Sequence, residues 1–182
     1  MLENILKLLT KILEAIFGPQ GTPKKHRQPV RIHNVDHIKK WEGYRGVAYQ
    51  DTGGVWTIGY GHTKSAKPGM QISRERAEEL LRGDIQWVED VLNTSVLVPV
   101  NQQQYDVLGS FVYNVGGTAF RNSTMLRKLN AYDYAGVTHE FGRWVHDNGR
   151  RIQGLVNRRE DEARLWKEAI TDEQLNRNSE NS

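Results

Sequence analysis

Three side chains in the stretch WEGYRGVAYQDTGGVWTIGYGHT (41–63) could do chemistry together: Glu42, Asp51 and Thr57. Glu42 stands between Trp41 and Gly43, where a helix is expected to end. Asp51 opens the turn DTGG, and Thr57 lies on the strand returning from it. Two carboxyls brought together from a helix end and a hairpin suit hydrolysis of a glycosidic bond. One, kept protonated by a drier setting, gives its proton to the leaving oxygen. The other stays ionised and either activates a water or attacks the sugar. A hydroxyl such as that of Thr57 can hold the attacking water. Spacing alone does not separate this reading from solvated surface carboxylates.

The elements that must position these residues follow from pattern. Asn34 can cap a helix over 35–43 with Ile38 and Trp41 inward. Residues 47–50 and 55–60 read as short strands around DTGG, with Gly53 and Gly54 suited to a tight hairpin. Gly59 and Gly61 would let backbone approach a ligand. His62 could serve as a base or as a structural hydrogen-bonding group. The spacing of Ala77, Leu80, Leu81, Ile85, Val88 and Leu92 predicts one long helix over 74–95, capped by Ser73. Asn101 and Gln104 form a capping pair for a helix over 102–115, which buries Val107, Leu108, Phe111 and Val112. Gly116 and Gly117 end it. A short helix to about 130, a helix over 133–145, a turn at 147–149 and a last helix over 155–168 complete the domain. The last helix turns Leu155, Ala163, Leu165 and Trp166 inward. Residues 169–182 form a polar tail expected to fray.

The ordered blocks carry a resemblance. E-x8-D-x5-T running into IGYGHT, then FVYNVG (111–116), FRNSTMLRKLN (120–130), RW (143–144) and GLVNRREDEARLW (154–166), resembles the phage-type lysozymes, the endolysins of glycoside hydrolase family 24. The likeness spans roughly 34–168 and leaves out 1–30. It implies an α+β, mainly α, two-lobed fold, with a small β-hairpin lobe and a helical lobe joined by a long helix. It implies cleavage of the β-1,4 bond between N-acetylmuramic acid and N-acetylglucosamine in peptidoglycan, with inversion at the anomeric carbon. On this resemblance Glu42 is the general acid, and Asp51 with Thr57 activates and positions water. Tyr113 and Asn114 line the cleft and contact sugar; a core tyrosine and a helix-end amide are the plainer alternative. Asn122 and Ser123 are either sugar contacts or helix caps. Arg158 and Arg159 could reach peptide-stem carboxylates, pair with Glu160 or Glu162, or be solvated. A lytic transglycosylase would need only one acid. A non-catalytic wall binder would need neither carboxylate.

Composition sets outer limits. The chain has 182 residues, five tryptophans and no cysteine, so no disulfide frame or thiolate metal site is available. No acidic or histidine cluster has metal-ligand spacing, and no cofactor is expected. Residues 1–40 hold eight Lys/Arg against three Asp/Glu, a charge of +5, and the remainder carries −2. A near-neutral main domain argues against a nucleic-acid groove. Residues 2–17, LENILKLLTKILEAIF, form an amphipathic helix with an apolar arc of roughly 200°. Charges at 3, 7, 11 and 14 deny it the reading of a signal peptide or membrane span. It can lie on a membrane surface, pair with a partner, or pack on the domain. Residues 18–33 read as a Pro/Gly linker whose Lys24, Lys25 and Arg27 favour anionic surfaces. The expected organisation is thus arm 1–17, linker 18–33, catalytic domain 34–168 and tail 169–182, acting as a monomer. The expected location is the host cytoplasm until release to the periplasm and cell wall.

Overall fold

The computed structural model describes residues 30–51 and 53–180. The arm at 2–17 and the basic cluster Lys24, Lys25, Arg27 lie outside the described residues. The elements run α1 (Asp36–Glu42), β1 (Arg45–Gln50), β2 (Trp56–Gly59), α2 (Arg74–Asp84), α3 (Gln86–Ser95), α4 (Gln102–Val115), α5 (Gly117–Arg121), α6 (Thr124–Asn130) and α7 (Tyr134–Glu140). A 3-10 turn (Phe141–Arg143) follows. Then come β3 (His146–Asp147), β4 (Arg150–Arg151), α8 (Gln153–Glu168) and α9 (Asp172–Glu180). The fold is α+β and mainly helical, as expected, with two small antiparallel hairpins.

The first hairpin makes the small lobe. β1 and β2 pair with Tyr49 opposite Thr57 and Gln50 opposite Trp56, and a bulge lies between Arg45 and Tyr49. The loop after β2 folds back on β1 through Ala48 N–H to Met70 O and Ile72 N–H to Gly46 O. The second hairpin turns at Asn148 and Gly149, both at positive φ (48° and 76°), the geometry that tight hairpins require.

The helical lobe is built around α4. Its Leu108, Phe111 and Val112 are fully buried. Phe111 meets Phe120, Phe141 and Trp144 edge to face, with ring centroids 6.4, 5.3 and 5.5 Å apart. Trp166, also fully buried, donates its indole N–H to Tyr134 O at 2.9 Å. The Asn101–Gln104 capping box forms as read.

Several sequence expectations need correction. The helix expected over 74–95 is interrupted at Ile85, whose ψ of −8° takes one peptide out of the ladder. Val88 N–H then makes a tighter bond to Ile85 O. The helix expected over 133–145 stops at Glu140 and tightens into the 3-10 turn, leaving Trp144 outside. Asn34 is not the capping position, which falls on Val35, yet its Oδ1 accepts from Asp36 N–H at 2.8 Å. The tail is not frayed through 180: α9 starts with a box in which Gln174 N–H donates to Thr171 Oγ1 and Thr171 N–H to Gln174 Oε1. The Gln174 and Gln104 amides then donate to one another at 3.0 and 2.8 Å.

Residues 30–33, read as linker, are part of the packed domain. Ile32 is 2% exposed and its N–H donates to Glu89 Oε1 at 2.8 Å. Val30 exchanges two hydrogen bonds with the Asn93 amide, and Asp106 accepts from His33 N–H and Asn34 N–H. This strap ties the segment before α1 to α3 and α4. Gly109 is what lets it sit there, because a β-carbon on that residue would stand 2.6 Å from Ile32 Cδ1. Ile32→Ala should therefore lower unfolding free energy by roughly 2–5 kcal/mol in urea titrations. Gly109→Ala should destabilise the natural chain. In the Ile32→Ala background it should stabilise by up to about 1 kcal/mol through helix propensity. Simple additivity of the two changes would refute the strap.

Candidate active site

Glu42 is the last residue of α1, and Gly43 takes the chain away at φ 71°. The short helix is pinned from three directions. Lys39 pairs with Glu78 of α2 at 2.7 Å, Lys40 pairs with Asp161 of α8, and His37 reaches Ser110 of α4 at 3.0 Å. Glu42 itself is gripped on one oxygen: Arg158 Nη1 donates to its Oε1 at 2.8 Å. The other oxygen, Oε2, faces Gly61. A β-carbon placed on Gly61 would lie 3.9 Å from that oxygen and 3.6 Å from Tyr113 Oη. Gly61 (φ 89°) thus keeps space open beside the acid. Gly59 has a different use from the one read in the sequence. A β-carbon there would meet Ala77 and Ile72 at 3.1 and 3.3 Å, so it allows packing rather than ligand approach.

Asp51 and Thr57 are both keyed to the backbone of Val55. Asp51 Oδ1 accepts from Gly53 N–H and Val55 N–H, both at 2.9 Å, while Thr57 Oγ1 donates to Val55 O at 3.1 Å. Among the described residues Asp51 Oδ2 takes no hydrogen bond or ion pair. Thr57 is buried on β2, its proton committed to the backbone and its lone pairs still able to accept.

Tyr113 and Asn114 stand at the end of α4. Tyr113 donates its hydroxyl to Tyr60 O at 3.1 Å and stacks on Trp87, with centroids 6.3 Å apart. Burial, with Glu42 and Asp84 adding to it, pushes the Tyr113 phenol well above its ordinary range, so it remains a donor. Asn114 presents its Oδ1 to Arg159 Nη2 at 3.1 Å and lines a groove of about 520 Å³ with Trp144 and Ile152. Of the two readings of Ser123 the structure shows the helix cap: it is buried, and its hydroxyl accepts from Leu126 N–H at 3.0 Å at the start of α6. Asn122 is exposed at the end of α5, and nothing in the structure links it to the group around Glu42.

Beneath Glu42 lies a floor of paired charge. Of the readings open to Arg158 and Arg159, the structure shows the pairing with Glu162; the two arginines are 4% and 1% exposed. Besides Glu42, Arg158 bonds Glu162 Oε1 through Nε at 3.2 Å and Ser110 O through Nη2 at 3.0 Å. Glu162, fully buried, also accepts from Ser110 Oγ at 2.8 Å and from Arg159 Nη2 at 3.2 Å. Its Oε2 lies 2.9 Å from Arg159 Nε without the alignment of a hydrogen bond. The Arg159 guanidinium rests 4.9 Å over the Phe111 ring. Burial lowers the Arg159 pKa to about 10, against the pull of Glu162, so the group stays cationic. Complete burial pushes the Glu162 carboxyl up, opposed by Arg159 and Arg158. Positions 156, 158, 159, 162 and 166 share the buried face of α8, so the pairing read from the sequence is an interior one.

His62 is structural. Its Nδ1 lies 2.7 Å from Asp84 Oδ2 and its Nε2 2.8 Å from Ser65 Oγ, which fastens the loop after β2 to the end of α2. Among the described residues no group of His, Asp and Glu could hold a metal ion.

Comparison with known proteins gives the family. A family profile described as "Phage lysozyme" matches residues 39–162. An endolysin of Acyrthosiphon pisum secondary endosymbiont phage 1 is 47% identical over 136 residues, covering 72% of this chain and 93% of that protein. An endolysin of Salmonella phage P22 is 41% identical over 142 residues, covering 75% and 97%. Among solved structures, the muramidase domain of SpmX from Asticaccaulis excentricus superimposes with a TM-score of 0.71 at 36% identity, covering 75% of this chain and 97% of that one. A two-lobed fold, a gripped glutamate beside an open glycine backbone and this extent of likeness lead to one conclusion: the chain belongs to the phage lysozyme family and is a glycoside hydrolase of the lysozyme type.

Proposed function

We propose that this enzyme hydrolyses the β-1,4 bond between N-acetylmuramic acid and N-acetylglucosamine in peptidoglycan, with Glu42 as general acid, Asp51 as the base that holds water and Thr57 as its positioning group. The observation that carries the reading is the asymmetric setting of Glu42. One oxygen is fixed by Arg158 from below, and the other faces the Gly61 backbone and Tyr113. Oε2 gives its proton to the leaving glycosidic oxygen, and Arg158 stabilises the carboxylate that remains. On the hairpin side, Asp51 Oδ1 is spent on backbone amides, which leaves Oδ2 to take a proton from water. Thr57 Oγ1, already donating to Val55 O, accepts the second hydrogen of that water. Water attack from the face opposite the leaving group inverts the anomeric carbon, which requires carboxyl groups about 6.5–9.5 Å apart. Asn114, with its oxygen held by Arg159, turns its N–H groups to sugar, and Tyr113 supplies the adjoining wall. In the cell this reading places the enzyme in the host cytoplasm until it reaches the periplasm and wall, where it lyses the host.

Digestion of purified peptidoglycan tests the proposal. The natural chain should release muropeptides with reducible muramic ends, seen by mass spectrometry after borohydride reduction. Glu42→Gln should release none while keeping its fold, and Asp51→Asn should be severely impaired. Products lighter by one water and resistant to reduction would instead indicate a transglycosylase and remove the roles of Asp51 and Thr57. Full turnover by Glu42→Gln would remove Glu42 as the acid.

The support beneath Glu42 makes a separate prediction. Arg158→Gln should lower unfolding free energy by roughly 3–5 kcal/mol, because it leaves buried Glu162 undercompensated. Replacing Arg158 and Glu162 together with methionine should recover much of that stability but not the hydrolytic rate. Recovery of both in the double variant would show that Arg158 serves folding alone.

A further inference from the structure

The cluster under Glu42 has an outlet that the proposed mechanism does not use. His37, five residues before Glu42 on α1, has its Nδ1 3.0 Å from Ser110 Oγ and its Nε2 3.1 Å from Asp161 Oδ2. The indole nitrogen of Trp41 lies 3.4 Å from the same Nε2. The side chain is only 13% exposed.

Counting protons assigns the ring. Ser110 has one hydroxyl proton and three neighbours: Glu162 Oε1 at 2.8 Å, Arg158 Nη2 at 3.3 Å and His37 Nδ1 at 3.0 Å. A guanidinium only donates, and a carboxylate between two guanidiniums only accepts. The Ser110 proton therefore points to Glu162, and His37 must donate from Nδ1. Its Nε2 then faces two groups of opposite demand. Trp41 can only donate to it; Asp161 can only accept from it. Neutral His37 accepts from Trp41, and cationic His37 donates to Asp161. The exchange does not strand Asp161, whose carboxylate is also held by Lys40 and Arg164.

We propose that His37 is a positioning residue for Glu42: through Ser110 it fixes the Arg158 guanidinium that grips the acid, and protonation moves its Nε2 from Trp41 to Asp161. The inference rests on the assignment of Glu42 as the acid. The charged and titratable groups around His37 are Asp161, Arg158 and Glu162 on α8 and Lys40 on its own helix. The polar side chain facing it from α4 is Ser110. Burial lowers the His37 pKa below its ordinary value; Asp161 opposes this, while Arg158 and Lys40 add to it. The sign follows. A lowered folded-state value means that the neutral ring stabilises the fold above the ordinary histidine range. That contribution is lost as pH falls through the folded-state value. Acidification therefore adds a positive charge behind Ser110 and releases the Trp41 N–H, loosening the helix end that carries Glu42.

Two kinds of measurement test this on the full chain. ¹⁵N NMR of the His37 ring should show the Nδ1–H tautomer at pH 8, and the Trp41 indole proton should shift with the same midpoint as the ring. An Nε2–H tautomer, or an indole proton indifferent to the ring, overturns the network whatever Glu42 does. In glycan hydrolysis, His37→Leu should lower kcat about five- to tenfold with KM little changed and remove one acidic inflection from the pH profile. His37→Asn keeps a donor toward Ser110 and cannot titrate. It should restore kcat at pH 7.5 and still lack the inflection. A leucine variant with the natural kcat and pH profile overturns the positioning role. Should leucine prevent folding, the asparagine variant decides: a retained inflection contradicts the proposal, and its loss with a natural kcat supports it. Failure of the Glu42 assignment is read separately, from an active Glu42→Gln.

Discussion

The structure depends on one partly buried contact, the Arg158 guanidinium on Glu42 Oε1, and on what that contact needs in order to exist. A guanidinium 4% exposed is costly unless its donors are met. Glu162 takes the Nε donor and the Ser110 backbone and hydroxyl take those on Nη2, while Arg159 balances Glu162. These groups come from α4 and α8, while Glu42 comes from α1. The three helices must therefore close to a single geometry before the charges are satisfied. Such a cluster adds little net stability compared with a well-packed apolar one. What it supplies is position, because a carboxyl held by a rigid planar fork has little freedom to wander.

The proposed partners of Glu42 are held by different physics. Asp51 and Thr57 depend on hairpin backbone rather than on buried charge: Val55 N–H donates to Asp51 and Val55 O accepts from Thr57. The small lobe is closed by its own loop, with Tyr44 donating to Ile72 O at 2.7 Å and His62 fastened to Asp84. One half is thus set by a desolvated charge network and the other by turn geometry. The strap at 30–34, locked by Ile32 against Gly109, anchors the chain just before the first of them.

Much of this was legible in the sequence. Apolar periodicity located α4 with its buried face, and the Asn101–Gln104 box marked its start. DTGG and the strand alternation located the hairpin, and the ordered blocks pointed to the lysozyme fold. Four things were obscured, each for a physical reason. The pairing of Arg158 and Arg159 with Glu162 was legible as one alternative, but its complete burial was not, because charge is normally outward. Ile32 was missed because one apolar residue among Pro, Arg and His shows no period, and its partner is the absence of a side chain at Gly109. The interruption at Ile85 leaves the helical pattern intact, so periodicity cannot register it. The Thr171–Gln174 box was overlooked inside a segment whose polarity suggested disorder.

The central claim is that catalysis needs the Glu42 carboxyl at the height set by Arg158, not merely a carboxyl at that residue. Glu42→Asp tests this most directly. It keeps the acid and the charge, but withdraws the group by one methylene from both Arg158 and the space beside Gly61. Turnover of peptidoglycan by this variant, measured beside its unfolding midpoint, should fall by roughly 100-fold or more with the fold intact. An aspartate variant that works within a few-fold of the natural enzyme would contradict the account, since the carboxyl would then act without the grip around which the helices are arranged.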